Sequence, residues 1–206
     1  MTDSITVFSD YVCPFCYLGR RSLADYQDSR VTPLEIDWHP FDLRANRRDD
    51  GGEVVVEGGH DDEYYERARR NVERLREAFG ATEMVVDRPL DVDSLDAQVA
   101  SHALRERTDY ETWLAFDEAV FAAHWEDERD VGDVDVLADL AETAGIDGTT
   151  VREAVADDAA RAAVSEAFDE ARRAGVTGVP TFAYDGRAAR GAVSPDRLER
   201  LVEGEQ

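Results

Sequence analysis

Residues 5–21 read ITVFSDYVCPFCYLGRR. A short β-prone run, Ile5 to Val12, leads into Cys13-Pro14-Phe15-Cys16, and a helical pattern follows to about Asp28. Cys13 falls where a helix N-cap belongs. Pro14 takes the first helical position, where a missing N–H costs nothing. Cys13 and Cys16 are the only cysteines in the 206 residues. Free N–H groups and the partial positive charge of a helix end favour a thiolate at Cys13. Cys16 lies one turn further in and is expected to be the less exposed thiol. Position therefore separates the roles: Cys13, at the surface, attacks or receives a disulfide, and Cys16 resolves the mixed disulfide. Pro14 preorganises the helix, and Phe15 adds neither charge nor hydrogen-bond donor. Asp10 precedes Cys13 by three residues. It opposes a thiolate by like-charge repulsion, and its strand-end position suits a proton relay to or from Cys16. A plain surface aspartate is an equal reading. No metal is expected, because His39, His60, His102 and His124 show no paired ligand spacing and there is no second CxxC.

Outward from this motif, Leu34 to Phe41 (LEIDWHPF) reads as a second strand, and 42–62 as a long loop rich in Gly, Asp and Arg. Helical stripes follow: Ala68-Val72-Leu75-Phe79, a helix from Ser94 to about Arg107, and one capped by Asp109 with Trp113, Phe116, Val120 and His124 on one face. Val136 to Ala144 marks the next. Thr150 with Glu153 suggests a capping box, and Ala160 to Ala171 stripes a helix ending at Gly175. The end of the chain returns to strand character. GVTGVPTFAYDGRAARGA (residues 175–192) reads as loop, proline, strand, Asp185-Gly186 turn and strand, and Ser194-Pro195 opens a final helix to about Glu203. The expected fold is therefore α/β: β-α-β, an all-helical insertion, then β-β-α. One domain would comprise 1–42 and 174–206, with loop and helical insertion over 43–173. By residues alone Pro180 reads as a strand-initiating proline, with a cis Val179-Pro180 bond as the alternative. In the cis form the Val179 backbone would be free to pair with an extended peptide.

The composition is strongly acidic: 47 Asp+Glu against 23 Lys+Arg, all of them arginine, for a net charge of −24. Such a surface repels itself in dilute buffer and is screened in molar salt, where the Debye length is about 3 Å. A salt-adapted protein is expected. Nucleic-acid binding, which needs a basic patch, is excluded. No leader pattern and no apolar run of membrane length is visible, so a cytoplasmic protein with no membrane partner is expected. In that compartment a CxxC is redox-active or metal-binding rather than a structural disulfide. Among other residues, Trp38, His39 and Phe41 read as core and edge, and His124 as a packed histidine with its bonds satisfied. Arg44, Arg47 and Arg48 read as a solvated loop, with an anionic-substrate clamp as the alternative.

FSDYVCPFCYLGRR (residues 8–21) and GVTGVPTF (175–182) resemble the DsbA-like branch of the thioredoxin superfamily. IDWHPFDL (36–43) and FAAHWEDERDVGDVDVLADLAETAGID (121–147) resemble its FrnE-like subgroup in the same order. The resemblance covers nearly the whole chain. It implies a thioredoxin fold with a helical insertion and thiol–disulfide oxidoreductase chemistry that reduces, forms or isomerises disulfides. Cys13 would be the nucleophile, Cys16 the resolving thiol and Pro180 a cis proline packed against them. Substrates would be protein or small-molecule disulfides, with no cofactor beyond a low-molecular-weight thiol as electron partner, in a monomer or homodimer. Asp93 and Gln98 depart from residues the subgroup often carries, and the second cysteine pair of some members is absent. The architecture also resembles 2-hydroxychromene-2-carboxylate isomerases and kappa-class glutathione transferases, which typically carry Ser at the position of Cys13. A thiol-cofactor-dependent small-molecule isomerase or transferase is thus the alternative reading, beside a peptide-binding module without redox turnover.

Overall fold

The structure, a computed structural model, describes residues 3–49, 54–55 and 62–204. The elements, in order, are β1 (Asp3–Ser9), α1 (Pro14–Asp28), β2 (Leu34–Pro40), a 3-10 turn (Ala45–Arg47), α2 (Asp62–Ala78), α3 (Leu95–Arg107), α4 (Tyr110–Trp125), α5 (Val134–Thr143), α6 (Gly148–Ala156), α7 (Asp158–Arg173), β3 (Thr181–Tyr184), β4 (Arg187–Arg190) and α8 (Pro195–Glu203). The four strands form one sheet in the order β2-β1-β3-β4. β1 runs parallel to β2, with Asp3 opposite Leu34 and Ser9 opposite Pro40. β3 lies antiparallel to β1, and β4 antiparallel to β3. This is the expected β-α-β and β-β-α arrangement, and the helices α2 to α7 intervene in sequence. No helix among the described residues is long and apolar enough to cross a membrane.

Local chemistry accounts for most boundaries. Asp185 and Gly186 both take positive φ, 46° and 74°, as a tight hairpin turn requires. Asp109, Asp133, Asp147 and Asp157 each accept a first-turn N–H and start α4, α5, α6 and α7. The cap of α6 is therefore Asp147 and not Thr150, which falls inside the first turn. Part of the acidic excess is thus spent on helix starts. β1 also stops earlier than its composition suggests. It ends at Ser9, because the Asp10 carbonyl accepts the Cys13 N–H at 3.2 Å and the Asp10 carboxylate accepts the Val12 N–H at 3.2 Å. A three-residue turn, 10–12, thus separates strand from helix. Of the expected long loop, residues 50–53 and 56–61 lie outside the described residues. Its first part is structured: Arg48 and Val54 form an isolated bridge.

The core runs from the sheet into the insertion. Ile5, Val7, Trp38, Trp113, Phe116 and Val120 are all buried. The Trp38 and Trp113 rings pack 6.4 Å apart, so the α4 stripe meets β2 directly.

Candidate active site

The strand-end turn and the α1 N-terminus bring Cys13 and Cys16 together as free thiols. Cys13 is the N-cap of α1 and Pro14 follows inside its first turn, as the spacing predicts. The exposure of Cys13 does not follow the expectation. It is 3% exposed, and Cys16 is fully buried. The turn 10–12 sets the helix start back from the strand end, so neither sulfur stands at an open surface. Burial raises the Cys16 thiol well above its usual value, and the neighbouring Cys13 sulfur adds to the shift. Cys16 therefore holds its proton more tightly than an ordinary thiol. Phe15, partly buried, packs against the core.

The second half of the site comes from the far end of the chain. The Val179–Pro180 bond is cis, as the family resemblance implies and the strand-initiating reading does not. The Cys13 thiol lies 3.6 Å from the Val179 carbonyl, to which it donates. The Pro180 carbonyl accepts the Gly191 N–H at 2.8 Å, and Thr181 Oγ1 donates to the Gly178 carbonyl. Gly19, which the sequence reading passes over, makes the approach possible. A Cβ there would meet Phe182 at 3.0 Å and Pro180 at 3.1 Å, so any larger residue would have to push these two rings aside for α1 to lie this close to the proline loop.

Asp10 is not a surface aspartate. It is fully buried, and its carboxylate accepts from the Val12 N–H, the Leu43 N–H at 2.8 Å and Ser94 Oγ. Burial raises its pKa to about 6, against the opposing pull of these donors. Gln98 extends the network. Its Nε2 donates to Ser94 Oγ and its Oε1 accepts the Phe41 N–H. Asp93 forms a two-pronged pair with Arg48. The two positions that depart from the subgroup pattern are thus filled by compatible side chains. Trp38 is core, with Nε1 donating to Ser9 Oγ, while His39 and Phe41 are half-buried.

Two sequence expectations fail here. Arg44 is buried rather than solvated; Arg47 donates to Tyr65 Oη, and Arg48 binds Asp93 and Asp42. His124 is buried, but neither ring nitrogen has a partner. A further group was missed altogether. Tyr11 Oη and Arg20 Nη2 both donate to Asp117, at 2.8 and 2.6 Å, and Asp117 has no exposed surface. A signal existed: Asp117 is an acid set four residues after Trp113, beside Phe116 and Val120 on the buried helix face.

A family model described as DSBA-like thioredoxin domain matches residues 4–203. Over its whole length the chain is 27% identical to the uncharacterised protein YwbO of Bacillus subtilis (strain 168), covering 98% of that protein. Among solved structures it resembles a probable DsbA oxidoreductase, SCO1869 from Streptomyces coelicolor, with a TM-score of 0.77 and 26% identity. That match covers 98% of this chain and 91% of the other. A 2-hydroxychromene-2-carboxylate isomerase shares the fold, with a TM-score of 0.75 and 20% identity, over 96% of this chain and 92% of the other.

Proposed function

The chain belongs to the DsbA-like thioredoxin domain family, and on that premise we propose that it is a thiol–disulfide oxidoreductase acting through Cys13 and Cys16. The observation that supports this most is the placement of Cys13. It caps a helix and lies 3.6 Å from the Val179 carbonyl, beside the cis Pro180. A fully buried Cys16 stands one turn behind it.

In the reducing direction the Cys13 thiolate attacks one sulfur of a substrate disulfide. A mixed disulfide forms and one substrate thiolate leaves. Cys16 then loses its proton and attacks the Cys13 sulfur. The Cys13–Cys16 disulfide forms, the second substrate thiolate leaves, and two electrons have passed to the substrate. Oxidation runs the same steps backwards. The step that needs help is deprotonation of Cys16, whose thiol burial holds well above its usual range. Asp10 suits this role: it is buried, its charge reaches Cys16, and it titrates near 6. The Val179 backbone offers an extended substrate a strand-like partner. We assign the exchange to the cytoplasm, on protein or small-molecule disulfides, with a low-molecular-weight thiol returning the pair to its starting state.

The test is exchange with a small disulfide under anaerobic conditions. Cys13→Ser is expected to lower the rate at least about a thousandfold. Cys16→Ser is expected to trap a mixed disulfide at Cys13, visible by mass spectrometry. Exchange that survives Cys13→Ser would take the nucleophile's role from Cys13, and a wild type that exchanges with no disulfide would move the small-molecule isomerase reading ahead.

A further inference from the structure

Three basic side chains around the turn before Cys13 are buried, each with a nitrogen that meets no partner. Arg44 is 6% exposed, makes no ion pair among the described residues, and its Nε has no acceptor. The Arg88 side chain is 7% exposed. Its Nη2 donates to the Arg129 carbonyl at 3.1 Å and its Nη1 stands 3.6 Å from Glu128, but its Nε has no acceptor. His124 has no exposed surface and no partner at either ring nitrogen.

The backbone gathers all three. The Leu43 N–H donates to Asp10, so Arg44 follows directly on the strand-end turn. Trp125 Nε1 donates to the Tyr11 carbonyl at 2.8 Å, which fixes the end of α4, and His124 with it, against the same turn. The Val85 N–H donates to the Trp125 carbonyl at 2.6 Å and brings in the segment carrying Arg88. His124 senses both arginines. Burial, then the charge of Arg88 and more weakly that of Arg44, lower the His124 pKa to about 3 and hold it neutral; the Arg129 backbone acts the other way, without a ring nitrogen reaching hydrogen-bond geometry.

A buried cation without a counter-ion is costly. A chain with a net charge of −24 has carboxylates to spare, yet among the described residues none lies within ion-pair distance of Arg44, and the charges of Asp10 and Asp93 reach it only from further off. Guanidinium groups present N–H donors in a fork that fits an oxyanion, and neutral imidazole carries one more donor. We propose that Arg44, Arg88 and His124 form an anion-binding site behind the Cys13 turn, shaped for a carboxylate or an inorganic oxyanion. If the thiol–disulfide reading holds, the carboxylate belongs to a small anionic disulfide or thiol whose sulfur reaches Cys13. The site then selects acidic small molecules over neutral ones.

The test separates this site from the redox chemistry. Calorimetry is run on the Cys13→Ser/Cys16→Ser double variant at constant ionic strength, with sulfate and with glutathione disulfide as probes. Arg44→Gln in that background is expected to weaken at least one probe by about tenfold or more. Arg197→Gln, an exposed site with the same loss of charge, is expected to leave both unchanged. Loss of both probes, with sulfate competing against the disulfide, identifies the anion as the substrate's own carboxylate. Loss of sulfate alone identifies a free inorganic anion. Should Arg44→Gln fail to fold, Arg88→Gln reads the same quantity. Binding of both probes that ignores Arg44 and Arg88 overturns the proposal, as does the absence of any binding.

Discussion

On α2, α6 and α7, the arginines Arg69, Arg152 and Arg173 are roughly half-exposed, and each meets a carboxylate: Asp87, Asp135 and Glu166. Beneath the turn that leads into Cys13, Arg20 and Arg44 are almost fully covered. Arg20 has a close buried partner in Asp117, with Glu118 at 4.0 Å, while Arg44 has no ion pair among the described residues. Outside, acids are abundant enough to pair arginines such as these, while others, Arg74 and Arg190 among them, meet only an amide, a hydroxyl or a carbonyl among the described residues. Inside, pairing depends on placement. Water and salt weaken the outer pairs, and desolvation makes the inner ones consequential in both directions. The interior, not the acidic surface, therefore carries the electrostatic information about the site.

The largest effect is expected where an inner pair is broken. Arg20→Ala leaves Asp117 and its bond to Tyr11 buried without a counter-ion. It is expected to cost about 3–5 kcal/mol in denaturant unfolding; a loss under about 1 kcal/mol would put the inner pair on the same footing as the outer ones. Next comes Asp10. Its pKa is about 6 in the folded protein against 3.8 for the free group, so the folded state binds its proton more tightly than the unfolded chain does. That contribution is complete below about pH 4 and is lost as pH rises through about 6. The stability difference between the wild type and Asp10→Asn is expected to move towards the variant across that window, by up to about 3 kcal/mol. A difference flat with pH would remove Asp10 from the buried class. The smallest effect is expected outside: Arg152→Gln changes stability by no more than about 0.5 kcal/mol. A larger loss there would break the comparison from the other side.

What was legible in the sequence follows the same division. The helix start at Cys13, the helices that carry the apolar stripes and the Asp185-Gly186 hairpin are local signals, and each appears where the pattern puts it. The site was legible only as far as its local parts. Cys13 and Cys16 sit three residues apart, but Asp10 is held by Leu43 and Ser94, and Cys13 meets Val179 across 166 residues. Composition assigns Arg44 to solvent because its neighbours in sequence are polar, whereas its neighbours in space are a strand end and a helix end. The same blindness makes Cys13 look exposed and His124 look satisfied. Even the early stop of β1 turns on one carboxylate accepting an N–H two residues on, which no β-propensity encodes.

The sheet order carries a consequence for synthesis. β1 pairs with β2 early, but its other edge waits for β3, with Thr6 meeting Ala183 and Phe8 meeting Thr181. On the ribosome, both thiols emerge more than 160 residues before Val179 and Pro180. Until then Cys13 has neither its carbonyl partner nor the proline loop that packs against Gly19. The cysteine pair is among the first parts of the site to be made and the last to be finished, and through most of translation it is an open dithiol on a half-built sheet.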